Sequence, residues 1–479
     1  MTDATPHDDA TRDPTPTTPS DTEIERFDHV LVGTGQATGT LLAGLPDDAT
    51  IAVIEGHHVG GTCVNDGCTP TKTLIASAKV ARQARRGAEY GVQVGDVSVD
   101  FGAVMERVNR IRHGGRDGLT KMLESDPRIT FIRGWAAFEA PRTLRVAGRL
   151  VAGEHVHLNV GARARVPDLP GLDRVPWLDN ARLLQLDEAP EHLVIVGGSY
   201  IGLEMAQAFH RLGSRVTVLE GGPQLMGRED ADVADAAREL LEDEGIDIVL
   251  NAKLEAVTEA ADGIEVRADG RVVRGSHLLL AVGRVPNSDR LNLAAAGVET
   301  DERGYVQVDD RCRTTADGVW ALGDVNGRGA FTHTSVNDAE IVLDALQGGP
   351  RHLGERDTVY AMFIDPPLGR VGMTEKEALA KGHRIRVATR AMKRIARAKE
   401  FGETEGLIKL IVDADRDRFL GVAALGLYGD EIANLFAVAM HGGVDVSTFR
   451  RTVLIHPTVG ELLPWILDDL GPVQEGAAA

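Results

Sequence analysis

Two cysteines carry the sharpest chemical signal in the chain. Cys63 and Cys68 stand with four residues between them in the run GGTCVNDGCTPTK. Thr69 can cap, and Pro70 can occupy the first turn of, a helix over TKTLIASAKVARQAR, which puts Cys68 at the positive end of a helix dipole. A thiolate is favoured there, and thiolate is the reactive form in disulfide exchange. The spacing also admits a structural disulfide, half of a zinc site or two unpaired thiols. No second cysteine pair completes a zinc site, since the remaining cysteine is Cys312, and a purely structural bridge is uncommon in a reducing compartment. A reactive dithiol close behind a nucleotide-binding turn is the favoured reading.

That turn is Gly33-x-Gly35, whose missing side chains let backbone N–H groups approach a pyrophosphate at a helix N-terminus. Glu55 follows near the roughly 20-residue spacing of an acid that binds ribose hydroxyls. Thr38 occupies the position of a third glycine, which Gly39 takes one residue late. A second turn, Gly197-Gly198-Ser199-Tyr200-Ile201-Gly202, is followed by Glu220 at similar spacing. Ser199 replaces the middle glycine, so its side chain must point away from the phosphates. Glu220, where an arginine would accommodate a 2′-phosphate, accepts both ribose hydroxyls and favours NADH over NADPH. An ordinary tight turn followed by a solvated strand-end acid is the plain alternative at each place.

The elements that must position these residues follow from the flanking pattern. FDHVLVG and ATIAVIE read as buried strands on either side of a short helix, and the same strand–helix–strand unit returns in EHLVIVGGSYIGLEMAQAFHRLGSRVTVLE. ADVADAARELLEDE reads as a helix closed by Gly245. Beyond Tyr360 the pattern changes to two strand runs, GLIKLIVDAD and RFLGVAALG, and an apolar helix, DEIANLFAVAMHG, which suggests a separate antiparallel α+β domain. The helix face of Ile432, Leu435, Phe436, Ala439 and Met440 is apolar enough to predict a two-fold homodimer.

The chain has 479 residues, enough for two to four domains, and a formal net charge of −20, which argues against nucleic acid as a partner. Three cysteines suit a reducing, cytoplasmic setting, and neither a leader nor a membrane span is read. Residues 1–26, rich in Asp, Thr and Pro, are expected to be a disordered acidic tail, and GPVQEGAAA at 471–479 a loose one. The basic run 383–399 is expected to be a strand and loop with solvated charges, with attraction of an anionic partner as the alternative, and Cys312 a buried thiol without a role.

Taken in order, GGTCVNDGCTPTK, SYIGLE at 199–204, AVGRVPN at 281–287, TTADGVWALGD ending at Asp324, and HPTVGE at 456–461 resemble the motifs of class I flavin-dependent pyridine nucleotide-disulfide oxidoreductases. Dihydrolipoyl dehydrogenase, glutathione reductase and mercuric reductase belong to that family. The resemblance runs from about Phe27 to Leu470. It implies an α/β fold of two Rossmann-like nucleotide-binding domains, for FAD and NAD, plus a C-terminal α+β dimerisation domain. The expected limits are 27–165 and 287–350 for FAD, 166–286 for NAD and 351–470 for dimerisation.

The resemblance also implies roles. Cys63 matches the interchange thiol that attacks substrate, and Cys68 the thiol that faces the flavin in a charge-transfer contact. Lys72 matches the lysine near flavin N5, and Glu204 its ion-pair partner. Gly33, Gly35, Glu55, Gly61, Thr62, Lys72 and Asp324 fall to FAD, with Asp324 on the ribityl chain. Gly197, Tyr200, Ile201, Gly202, Glu220 and Gly283 fall to NAD, with Tyr200 as the aromatic gate where nicotinamide docks. His456 and Glu461 match an acid–base dyad supplied by the opposite subunit. No metal site is assigned.

The implied activity passes electrons from NADH through flavin and the Cys63–Cys68 disulfide to a disulfide or other thiol-reactive oxidant. Dihydrolipoyl dehydrogenase, a mercuric or other metal-ion reductase, and a flavin-binding redox sensor stand as alternatives. GCTPTKTLIASA and FIDPPLGRVGMTE are most similar to sequences called mercuric reductase-like, yet the chain keeps His456 and lacks the C-terminal cysteine pair of genuine mercuric reductases. Asp66 inside the dithiol loop and Gly460 inside the dyad segment also depart from the family pattern.

Overall fold

A computed structural model describes residues 23–261 and 263–476. Residues 1–22 of the expected acidic tail, and 477–479 at the other end, lie outside the described residues. The fold starts at Ile24, earlier than the Phe27 expected from apolar content. Glu25 and Arg26 take ladder places opposite Val151 and Ala152, and Glu25 Oε1 accepts from Arg149 Nε at 2.7 Å.

The first unit is a sheet whose parallel part runs Ile129–Arg133, Ile51–Glu55, Ile24–Val32, Arg149–Leu158 and, returning from far along the chain, Val319–Ala321. Thr143–Val146 and Ala137–Ala140 extend it as an antiparallel meander. Both faces of its centre are covered, so Val30, Leu31, Ile51 and Val53 form unbroken apolar runs, all fully buried. The glycine turn and Glu55 thereby come to the carboxyl ends of adjacent strands, where open α/β sheets bind ligands.

The second unit repeats the plan with parallel strands in the order Asp247–Val249, Arg215–Leu219, His192–Val196, His277–Leu280. A three-stranded antiparallel sheet, Leu254–Ala260, Gly263–Ala268 and Arg271–Gly275, packs beside it. The chain enters and leaves this unit side by side, because Ala162–Ala164 pairs antiparallel with Arg284–Pro286.

The third unit is a five-stranded antiparallel sheet, Val359–Met362, Leu368–Gly372, Phe419–Leu425, Leu407–Asp413 and Ile385–Ala391, covered by the helix Gly429–His441. Here the structure corrects the sequence reading of that helix. Ile432, Phe436 and Ala439 face the helix's own sheet, where the Phe436 ring meets Phe419 and Phe449, so they do not form a free dimer face. The exposed large apolar residues of this unit include Val438, Val453, Ile455 and Trp465, the last three close in sequence to the HPTVGE segment. Residues 471–476 are docked, not loose. Gln474 pairs with Ile385, and Arg386 donates to the carbonyls of Gly471 and Leu470. Arg384 pairs with Asp415 and Glu475, and Arg390 with Asp469, so much of the basic run ties down the C-terminus. Cys312 is fully buried, and burial pushes its thiol up. Among the described residues no helix is long and apolar enough to cross a membrane.

Candidate active site

The long helix Cys68–Arg85 begins at Cys68 itself, with Gly67 as its N-cap and no side-chain cap. Thr69 is therefore not the cap that the sequence suggested. Thr71 bonds back to the Gly67 carbonyl at 2.8 Å, and Cys68 stands where unpaired N–H groups favour an anion. Cys63 sits on the short helix Gly61–Asn65, fixed by the Asn65 amide, which donates to the carbonyls of Val59 and Gly61 at 2.9 Å each.

Both thiols are free. A hydrogen bond from the Cys63 thiol holds Cys68 down to about 6, against burial, with help from Thr332 and Lys72. The same bond and burial push Cys63 up. Thr332 Oγ1 lies 3.2 Å from Cys68 Sγ. The two shifts run in opposite directions, Cys68 toward the thiolate and Cys63 toward the protonated thiol.

One turn further along the helix, Lys72 Nζ is 2.7 Å from Glu204 Oε2, whose partner oxygen accepts the Phe363 N–H at 2.8 Å. Lys72 also stands over the Phe363 ring at 4.9 Å. A cation is thus fixed one helical turn from Cys68.

At the first turn, Gly33 has φ +96°, and a Cβ there would stand 2.4 Å from the Asn159 carbonyl oxygen. Gly35 caps the helix Gln36–Gly44, and Gly61 packs directly against it. Glu55 Oε2 accepts the Thr34 N–H at 3.0 Å, and Oε1 the His57 N–H at 2.8 Å. Thr38, in the displaced glycine position, donates to the Gly33 carbonyl at 2.9 Å and accepts from Asn159 at 3.0 Å. Asp324 is half-buried, and desolvation pushes its carboxyl up, with Arg284 Nε 3.4 Å away and itself without a hydrogen-bond partner. Asp338 supports the neighbouring turn by accepting the Gly323 N–H at 2.8 Å, and pairs with Arg356. Arg284 also reaches Thr62 Oγ1 at 3.5 Å. A side-chain-free cradle, a strand-end acid and a half-buried carboxylate, Asp324, beside the Arg284 Nε that has no hydrogen-bond partner fit a dinucleotide with a polar linking chain, as FAD is.

The second turn reproduces the first. Gly197 has φ +113°, and its Cβ would stand 2.4 Å from the Ala281 carbonyl oxygen. Glu220 accepts the N–H groups of Gly198 and Gly222, both at 2.7 Å, the pattern Glu55 shows. Ser199 caps the helix Tyr200–Arg211 in extended backbone without using its hydroxyl as a cap. Gly202 lies against the Gly197 carbonyl, and Ile201 is exposed. Gly283 has φ +106° at the crossover between units, where its carbonyl accepts from Arg165. Tyr200 packs edge-on to Phe331 at 6.2 Å, and Phe331 precedes Thr332 at the dithiol, so the second turn and the two sulfurs share one region.

His456 and Glu461 form a pair, with Nδ1 2.8 Å from Glu461 Oε2. A carboxylate only accepts, so Nδ1 is the donor in this pair, which leaves Nε2 free of it. The His456 side chain is 80% exposed, and no hydrogen bond or ion pair among the described residues joins it to Cys63 or Cys68. Asp66 is half-buried, its carboxyl pushed up by burial against the pull of Arg112, and its carbonyl accepts from Asn180 at 2.8 Å. Sequence reading missed Thr34, Asn159, Thr332 and Asp338. Of these, Thr34 alone carried a local signal, standing between the two glycines of the first turn.

A family described as pyridine nucleotide-disulphide oxidoreductase matches residues 27–339, and its dimerisation domain matches 358–467. The chain is 37% identical to the probable pyridine nucleotide-disulfide oxidoreductase RclA of Escherichia coli strain K12 over 92% of this chain and 98% of that one. It is 32% identical to a dihydrolipoyl dehydrogenase of Vibrio cholerae over 86% and 88%, and 29% identical to a mercuric reductase of Bacillus cereus over 91% and 70%. The solved structure of RclA, described as an HOCl-induced flavoprotein disulfide reductase, superposes with a TM-score of 0.83 over 93% of this chain and 99% of that one. RclA has also been solved as a Cu(II) complex.

Proposed function

Because the chain belongs to the pyridine nucleotide-disulphide oxidoreductase family, we propose that it takes electrons from NADH and delivers them through Cys63 and Cys68 to a small disulfide or another thiol-reactive oxidant. The enzyme is a flavoprotein of that class, and FAD, when bound, supplies two-electron exchange between a nicotinamide and a dithiol. Gly33, Gly35, Glu55, Gly61, Thr62 and Asp324 would hold FAD, and Gly197, Tyr200, Ile201, Gly202, Glu220 and Gly283 the nicotinamide nucleotide. Tyr200 would cover the nicotinamide pocket.

The observation that carries this reading is the placement of the two sulfurs, Cys68 at the first position of the helix Cys68–Arg85 with Thr332 Oγ1 3.2 Å from its sulfur, Cys63 on the short helix just before it, and the Lys72–Glu204 pair one turn on. On loss of its proton, Cys63 attacks one sulfur of the acceptor, forming a mixed disulfide and expelling a thiolate. Cys68 then attacks the Cys63 sulfur, expelling the second thiolate and closing the Cys63–Cys68 bond. NADH, one proton and one disulfide become NAD⁺ and two thiols. His456 of a second copy of the chain, oriented by its Glu461, would take and return the protons, because in its own chain it is 80% exposed and no hydrogen bond among the described residues joins it to the sulfurs.

NADH oxidation measured against lipoamide, glutathione disulfide, other small disulfides, hypochlorous acid, Hg(II) and Cu(II) tests the acceptor. The expected result is steady turnover with one preferred thiol-reactive acceptor, Cu(II) being included because RclA binds it. Single-turnover consumption with every acceptor would overturn the reading in favour of a redox sensor.

Glu220 sets a second expectation. With both oxygens fixed by the Gly198 and Gly222 N–H groups, the carboxylate cannot turn away from a 2′-phosphate. The ratio of kcat/KM for NADH over NADPH is expected at roughly ten- to a hundredfold, about 1.4–2.8 kcal/mol of residual repulsion. Equal values would show that other residues set the choice.

A further inference from the structure

Glu229 has no part in the reading above, yet its side chain is wholly enclosed at 0% exposure. It lies beyond the second nucleotide-binding turn, and its carboxylate is held by residues of other elements. Oε2 accepts both Nε and Nη2 of Arg370, at 2.8 and 2.5 Å. Arg370 is itself 1% exposed, stands on the strand Leu368–Gly372 of the third unit, and pairs also with Asp230 at 3.0 Å. Oε1 is shared by two phenols. Tyr360 donates to it at 2.6 Å, while the Tyr200 hydroxyl points at it from 3.4 Å. Burial and the neighbouring carboxylate push Tyr200 up to about 12 and Tyr360 higher, so both phenols remain donors. The rings of Tyr200 and Tyr360 meet edge-on at 5.4 Å, and Phe331 stacks on Tyr360 at 5.5 Å.

We propose that Glu229, clamped by Arg370, is the latch of the Tyr200 ring, and that Tyr360 keeps the latch loose by occupying the same carboxylate oxygen. The proposal rests on the reading of Tyr200 as the cover of the nicotinamide pocket. A contact of 3.4 Å is beyond the ordinary O–H···O range, whereas 2.6 Å is a full charge-assisted bond. With Tyr360 in place, Oε1 stays satisfied whether the Tyr200 ring is in or out, and the ring swings without stranding a buried charge. Without the Tyr360 hydroxyl, Tyr200 becomes the only phenol for that oxygen, and every opening leaves it unpaired. Glu229, Arg370 and Tyr360 are thus positioning residues that tie the cover to the third unit.

The test is a double-mutant cycle in the FAD-loaded dimer with Tyr360→Phe, Tyr200→Phe and both together, since phenylalanine keeps the ring contacts in each case. The readouts are the calorimetric dissociation constant for NAD⁺ and the rate of flavin bleaching on mixing with NADH. Tyr360→Phe is expected to weaken NAD⁺ binding by about three- to thirtyfold, because apparent affinity falls with the open fraction. In the Tyr200→Phe background the same change should have no effect. Equal effects in both backgrounds, or none in either, would overturn the latch. Tyr200→Ala separates the two ideas: unchanged NAD⁺ binding and bleaching in that variant would overturn the cover itself, and changed values without coupling in the cycle would overturn the latch alone.

Discussion

Cys63→Ala is expected to abolish disulfide turnover, by at least about a thousandfold on the scale of losing a covalent nucleophile, while NADH still bleaches the flavin. The sulfur left behind makes this more than a knockout. Cys68 in that variant has no partner with which to form a disulfide, so its thiolate should give a long-wavelength absorbance band against oxidised flavin without any reductant. In the wild type the band should appear only after anaerobic reduction. Its pH dependence follows from the hydrogen bond. Cys68 is held to about 6 chiefly by the Cys63 thiol, so the reduced wild-type enzyme should show the band above that pH and lose it as pH falls through about 6. Cys63→Ala removes the donor, and the midpoint should move to higher pH. Cys68→Ser should eliminate the band at every pH, and a band that survives it would overturn the assignment of the two sulfurs.

The second large effect concerns His456. Its exposed ring, oriented by Glu461 and flanked in sequence by exposed Val453, Ile455 and Trp465, suits a site completed by a second copy of the chain. His456→Ala is expected to lower disulfide turnover by roughly 10²- to 10⁴-fold, the range of general acid–base assistance, and to spare bleaching by NADH. Mixing Cys63→Ala chains with His456→Ala chains then discriminates between arrangements. If the dyad acts across the interface, a mixed dimer holds one intact and one doubly damaged site, and activity near half of wild type per mixed dimer should return. No return in verified mixed dimers would contradict the shared site.

Both expectations start from features that local sequence displays. Glycine turns, strand-end acids and a cysteine pair before a helix are short-range patterns, because the backbone conformations they need are set within a few residues. The same holds for the buried strands, whose apolar runs survive as Val30–Leu31 and Val194–Ile195 at the sheet centres. Residues that act through distant partners were not legible. Asn159 matters because its carbonyl closes on Gly33 from the end of the neighbouring strand, and Asp338 because it reaches back to the Gly323 N–H. Neither is marked by its neighbours. Glu229 and Arg370 meet across two units, and nothing in either local segment announces the other. The helix Gly429–His441 shows the converse error. Its apolar face was visible, but periodicity does not say which surface covers it, and the covering surface is its own sheet. The docked C-terminus was hidden for a related reason, since Arg386 grips backbone carbonyls that every sequence possesses.

The central claim is that electrons from NADH reach the Cys63–Cys68 pair, and thiol counting after one anaerobic equivalent of NADH tests it most directly. Air-oxidised enzyme is treated with NADH, alkylated while native, and mapped by mass spectrometry. Cys63 and Cys68 should be unlabelled before NADH and labelled after it, with Cys312, fully buried, unlabelled throughout. Flavin bleaching with Cys63 and Cys68 still unlabelled would contradict the account.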